Sequence, residues 1–153
     1  MKKIMFVCYG NICRSPMAEF LMKNYLKKKG KEDEFIVKSS ATSSEELGHP
    51  VHHGTRRVLD KLGISYHGKY AEKLKKEDYY NYDYFIGMEE DNLYAMRRIF
   101  GADPDGKLSL IMDYTSSPRE VADPYWTGNF DKTYSDIVEG INGLYKFLTG
   151  EDK

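Results

Sequence analysis

A thiol and a guanidinium lie six positions apart in Cys8-Tyr9-Gly10-Asn11-Ile12-Cys13-Arg14-Ser15, and Pro16 follows directly. The chemistry this grouping suits is attack on a tetrahedral oxyanion such as a phosphate ester. Arg14 offers a planar, permanently charged fork that matches two phosphate oxygens. Gly10 and Asn11 tolerate the left-handed backbone angles with which consecutive N–H groups turn toward one point and make a nest for an anion. Cys8 would sit beneath that anion, where the same positive field favours a nucleophilic thiolate. The competing account is a small buried thiol at a strand end and an arginine on the surface.

Such a loop works only when rigid elements hold both of its ends. Ile4-Met5-Phe6-Val7 reads as a buried strand before it. After it, Ser15-Pro16 opens a helix with Met17, Phe20, Leu21 and Tyr25 at helical spacing, and Lys27-Lys28-Lys29-Gly30 supplies its basic last turn and stop. The helix N-terminus adds partial positive charge at the nest. Phe35-Ile36-Val37 is a second strand, Ser39 to Pro50 a polar loop, and Val51, Thr55, Val58, Leu59 and Leu62 share one face of a helix that Gly63 follows. Lys73 to Tyr79 is expected to form a short helical turn. Tyr84-Phe85-Ile86 is the third strand, and Leu93, Met96 and Phe100 mark a helix closed by Gly101. Asp103-Pro104-Asp105-Gly106 is a turn, Leu108 to Ile111 the fourth strand, and a long final helix carries Tyr134, Ile137, Val138, Ile141, Leu144, Tyr145 and Leu148.

Strands alternating with helices predict an α/β fold: a four-stranded parallel sheet with right-handed crossovers and helices on both faces, a three-layer sandwich. Ligands in such sheets bind at the carboxyl ends of the strands, which is where Cys8 falls. The sequence has no internal repeat and no linker, so residues 1–153 are expected to form a single domain.

A net charge of −1 gives no reason to expect nucleic acid or a membrane surface as partner. The apolar stretch before Tyr9 is too short for a secretory signal, and no run is long enough for a membrane span. The chain has 2 cysteines, both in one loop, which argues against a secreted disulfide framework and for a reducing cytoplasm.

The stretch from Val7 to Glu19 resembles the signature of the low-molecular-weight protein tyrosine phosphatases, and Asp123-Pro124-Tyr125 resembles the loop that supplies their general acid. Length and element order agree along essentially the whole chain. The resemblance implies sheet order 2-1-3-4 and hydrolysis of phosphotyrosine monoesters through a cysteinyl-phosphate. It makes Cys8 the nucleophile, Arg14 the phosphate clamp and Asp123 the general acid, then the base for the attacking water. Ser15 would hydrogen-bond the thiolate, and Asn11 would brace the loop whose Tyr9, Gly10, Ile12 and Cys13 surround the phosphate. Tyr125 and Trp126 would wall an aromatic ring, although Trp126 also suits a core position. A proton donor of this kind predicts a bell-shaped rate profile with an acidic optimum. Glu45 stands near where many relatives carry Trp, which leaves the pocket more open or more acidic. Tyrosine-phosphorylated proteins or peptides are the expected partners and inorganic phosphate the product, with no cofactor and no metal.

Cys13, close to Cys8 if the loop curls, could form a reversible disulfide that shields the nucleophile. Adjacent His52 and His53 should point in different directions on a helix and lack a matching ligand set, so a surface or capping role is expected. Asp83 and Glu89-Glu90-Asp91 read as solvated turns and a helix N-terminus. Three alternatives remain for the site. Arsenate reductase relatives use an additional downstream Cys that this chain lacks. Phosphoarginine phosphatases tend to carry Thr in place of Ile12. A non-catalytic phosphotyrosine-binding module has no need for Asp123.

Overall fold

The first strand, β1 (Lys2–Cys8), sorts its side chains alternately between two cores. Ile4, Phe6 and Cys8 enter one apolar cluster, Met5 and Val7 the other, as the two-residue period of a strand covered on both faces requires. The computed structural model describes residues 1–151. β1 pairs in parallel with β2 (Phe35–Ala41) on one side, from Lys2↔Phe35 to Cys8↔Ala41, and with β3 (Tyr84–Gly87) on the other, from Ile4↔Tyr84 to Val7↔Gly87. β4 (Leu108–Leu110) lies outside β3, giving the order β2-β1-β3-β4. The expected parallel sheet and its 2-1-3-4 order are therefore observed.

One face is covered by α1 (Arg14–Lys28), α2 (His53–Lys61) and α5 (Phe130–Thr149), which pack against one another. The other is covered by α3 (Glu90–Phe100) and a 3-10 turn at Lys76–Tyr80. A four-residue helix, α4 (Pro124–Thr127), precedes α5. The chain leaves β1 for β2 on one side and later returns to β3 on the other. The β1–β3 junction is thus the switch point where open α/β sheets bind ligands. No helix among the described residues is long and apolar enough to cross a membrane.

Three boundaries differ from expectation. β2 continues through Lys38, Ser39 and Ser40, residues that read as loop by composition. They pair with Met5, Phe6 and Val7, and both serines are buried. β4 ends at Leu110, where the Asp113 carboxylate accepts the Leu110 N–H and turns the chain into a 3-10 segment, Ile111–Tyr114. Val51 and Leu62, expected on the face of the second helix, lie just outside α2, and Leu62 is exposed.

Candidate active site

Four loop carbonyls are tied outward, which decides where the loop amides point. Cys8 O accepts from Thr42 N–H at 3.0 Å, and Tyr9 O accepts from Ser43 N–H at 3.1 Å and Ser43 Oγ at 2.9 Å. Ile12 O accepts from His52 N–H at 2.9 Å, and Cys13 O from Thr55 Oγ at 3.0 Å and Met17 N–H at 3.2 Å. A trans peptide sends its N–H opposite to its C=O. Anchoring these carbonyls in β2's continuation, α2 and α1 therefore turns the N–H groups of Tyr9, Gly10, Cys13 and Arg14 toward the inside of the loop. Asn11, between them, has φ of 59°, the left-handed region that Asn tolerates better than most residues.

Cys8 Sγ sits at the floor of this cup, buried, with the Asn11 N–H at 3.3 Å and Ser15 Oγ at 3.0 Å. The Ser15 hydroxyl belongs to a longer network. Asn11 Nδ2 donates to Ser15 Oγ (2.7 Å) and to Ser39 Oγ (3.0 Å), and Ser39 Oγ donates to Glu19 Oε1 (2.6 Å). With Asn11 Nδ2 on one lone pair, the Ser15 hydroxyl keeps its own hydrogen to give to sulfur when Cys8 is a thiolate, which can only accept. Asn11 Oδ1 accepts from Glu72 N–H at 3.0 Å. Glu19 is held in turn by Lys23 at 2.6 Å and Lys69 at 3.6 Å. An Asn strained into this conformation is thus fixed by three hydrogen bonds from its side chain.

Arg14, only 1 % exposed, crosses the cup from the first turn of α1. Its NH1 donates to Val121 O at 2.8 Å, and its NH2 lies 2.6 Å from Glu89 Oε2 and 3.3 Å from Asp123 Oδ2. Burial works against the charge, yet Cys8, Glu89 and Asp123 outweigh it and hold the guanidinium pKa above its ordinary value. Glu89 was expected in a solvated helix N-terminus. It does stand at the head of α3, but its carboxylate is the partner of Arg14. The signal available was topological, since Glu89 follows the carboxyl end of β3 at the switch point.

Asp123 lines the same cleft as Cys8 and is the N-cap of α4, its Oδ1 accepting the Tyr125 N–H at 3.1 Å. Asp-Pro here is a cap followed by proline in the first turn, a pattern that reads equally well as a plain turn. Tyr125 and Trp126 project from α4 into solvent, Trp126 being 81 % exposed, so the core position is excluded. Together with Tyr9, Glu45 and Glu46 they line a cleft of about 150 Å³ that Cys8 and Arg14 line as well. The Tyr9 hydroxyl donates to Glu45, and Glu46 accepts from His49.

Both cysteines are free thiols. Burial, followed by the charges of Cys8 and Asp123, pushes the Cys13 thiol far above its ordinary range. His52 lies before α2 in an extended conformation instead of on the helix. That is why its ring stacks on that of His53 at 4.3 Å and does not diverge from it. The capping role expected for the pair is met by His52, whose Nδ1 accepts the Gly54 N–H.

The family model described as low molecular weight phosphotyrosine protein phosphatase matches residues 3–153. The chain belongs to the low molecular weight phosphotyrosine protein phosphatase family. Among its relatives is the low molecular weight protein-tyrosine-phosphatase YfkJ of Bacillus subtilis, 36 % identical over a 153-residue alignment that covers 99 % of this chain and 98 % of the relative. The crystal structure of YfkJ superposes with a TM-score of 0.93 at 33 % identity, over 100 % of this chain and 98 % of that one. That of the Streptococcus pyogenes phosphatase SP-PTP gives 0.87 at 36 %, over 97 % and 94 %. The fold also matches DARP, a drosophila arginine phosphatase, with a TM-score of 0.87 at 27 % identity and full coverage of both chains. Membership in this phosphatase family makes phosphoproteins the substrate class.

Proposed function

We propose that this protein hydrolyses phosphotyrosine in proteins or peptides through a cysteinyl-phosphate on Cys8. The single observation that carries the reading is the floor of the cup: a sulfur receiving an amide N–H and in hydrogen-bond contact with a serine hydroxyl, with Arg14 and the Asp123 carboxylate 3.3 Å apart beside it. Inward amides and Arg14 stabilise the charge of the transferring phosphoryl group. Cys8 attacks phosphorus in line, the P–O bond to the phenol breaks, and Asp123 delivers a proton to the departing oxygen. Asp123 then takes a proton from water as that water attacks the phosphocysteine, releasing inorganic phosphate. The Ser15 hydrogen bond stabilises the sulfur each time it carries negative charge. Tyr125 and Trp126, exposed on one wall, offer faces on which a phenol ring can stack.

Cys13 fits a protective partner for the nucleophile. Peroxide would take two electrons from the two thiols, forming a Cys8–Cys13 bond and two waters. Two free thiols also favour the cytoplasm as its location, and residues 1–153 act in this reading as one domain.

The test is a panel of phosphotyrosine, phosphoarginine and phosphoserine peptides on wild type and Cys8→Ser. Turnover confined to the wild type and fastest on phosphotyrosine is expected, with phosphate trapped on Cys8 in rapidly quenched samples. Equal rates on all three would remove the substrate assignment, and retained turnover in Cys8→Ser would remove the mechanism.

A further inference from the structure

The chemistry above leaves the paired histidines unused, yet hydrogen bonds and three neighbouring rings converge on His52. Its backbone N–H holds Ile12 O at 2.9 Å, on the outside of the phosphate loop. Its Nδ1 accepts the Gly54 N–H at 3.1 Å, so that nitrogen carries no proton. Burial, then His53 and Arg56, lowers the pKa of the ring, in keeping with that neutral form. The ring stacks on Phe130 (5.2 Å, 17° between planes) and on His53, and meets Tyr125 edge-on at 5.9 Å and 70°. Gly54 makes this stack possible, because a Cβ there would lie 2.3 Å from the Phe130 ring.

Tyr125 is the residue whose N–H is capped by Asp123. Its other ring neighbour, Trp126, belongs to the same short helix and cannot locate that helix against the remainder of the protein. His52 can, since it is fixed to the phosphate loop, to α2 and, through Phe130, to the start of α5. A column of rings therefore runs from the back of the loop holding Cys8 to the turn holding Asp123.

We propose that His52 is a positioning residue for proton transfer: through its edge contact with Tyr125 it sets where the Asp123 carboxylate stands relative to Cys8. This rests on the phosphatase reading above. A misplaced acid matters most when the leaving group needs a proton. A phenol like that of tyrosine does, whereas p-nitrophenolate leaves readily without one. The kcat/KM value covers the steps up to that departure, so its dependence on the leaving group reports on the acid.

The experiment measures kcat/KM for full-length variants on a series of aryl phosphates running from p-nitrophenyl phosphate to phosphotyrosine, alongside inhibition by vanadate. His52→Asn keeps an acceptor for the Gly54 N–H but has no ring. It is expected to lose about three- to tenfold on phosphotyrosine, the size of effect an aromatic pair produces. Its rate on p-nitrophenyl phosphate and its vanadate inhibition should stay within about twofold of wild type, as an intact cup requires. His52→Phe restores the ring without the cap, and should return the leaving-group dependence toward wild type while lowering the thermal midpoint. Phe130→Leu, which removes the ring behind His52, should reproduce the His52→Asn pattern and serves if that variant does not fold. Equal losses across the series, or an unchanged leaving-group dependence in both ring-removing variants, would overturn the positioning role. A wild type inactive on every aryl phosphate would instead overturn the phosphatase reading itself.

Discussion

The phosphate loop and the acid-bearing turn meet at Arg14 and Asp123, 3.3 Å apart, but they are held in different ways. In the loop, Asn11, Arg14 and Ser15 are all but fully buried, and four carbonyls are fastened by neighbouring elements. The turn carrying Asp123 is a four-residue helix with two exposed aromatic rings, anchored by buried Pro124, by Val121 and by the edge of His52. The difference matches the two tasks. Stabilising a transferring phosphoryl group depends on dipoles that do not reorganise, so rigidity and burial serve it. Delivering a proton to a varied phenol, and then admitting a water along the same path, is served by an open wall.

Substitutions can break that contrast or sharpen it, because damage to the loop should fall on every substrate and damage to the turn on some. Cys8→Ser should abolish turnover, by at least about 10³-fold, while leaving phosphate-analogue binding measurable by calorimetry. Arg14→Lys keeps the charge and loses the fork. A fall of about 10²–10³-fold in kcat/KM is expected, alike for p-nitrophenyl phosphate and phosphotyrosine. Near-normal turnover would show that the loop amides alone suffice. Asp123→Asn should cost about 10²-fold on phosphotyrosine and far less on p-nitrophenyl phosphate in stopped-flow measurement of the first step. Uniform loss would place Asp123 with the loop instead of apart from it.

Glu89→Gln retains a hydrogen bond to Arg14 without the charge. Hydrogen bonds to charged groups contribute roughly 1.5–3 kcal/mol when buried, and the partial exposure of Glu89 reduces the expected loss to about tenfold, again independent of leaving group. Cys13 gives the smallest effect on rate and the clearest on labelling. With its thiol pushed far up by burial, it should resist iodoacetamide at about pH 8 in the native protein and react once urea unfolds the chain. Labelling of native Cys13 would contradict the burial assigned to that side of the loop.

The contiguous part of this site was readable from the chain because it is contiguous: a strand, a loop and a helix fix Cys8, Asn11, Arg14 and Ser15 within one short segment. Strand alternation likewise exposed the two-sided sheet, though the order of its strands came only with the family resemblance. What stayed hidden is what folding brings from far along the sequence. Ser39 and Ser40 look like loop by composition, and only pairing with Phe6 and Val7 makes them strand. Glu89 has the surroundings of a routine helix start, and nothing local says that its carboxylate meets Arg14 75 residues away. Thr55 reads as one more position on a helix face, while its hydroxyl holds Cys13 O. The capping role of the histidine pair was legible, but the stacking of the two rings was not, because a cap residue does not follow helical side-chain directions.

The clamps on the phosphate loop have a consequence for biosynthesis. Residues 8 to 15 leave a ribosome before their fastenings, which come from positions 42, 43, 52, 55 and 72, and before the partners of Arg14 at 89, 121 and 123. A nascent chain therefore carries the sulfur long before it carries the scaffold that shapes its surroundings. The catalyst assembles only after residue 123 has been made, and fragments released before it lack the constellation that would make them phosphatases.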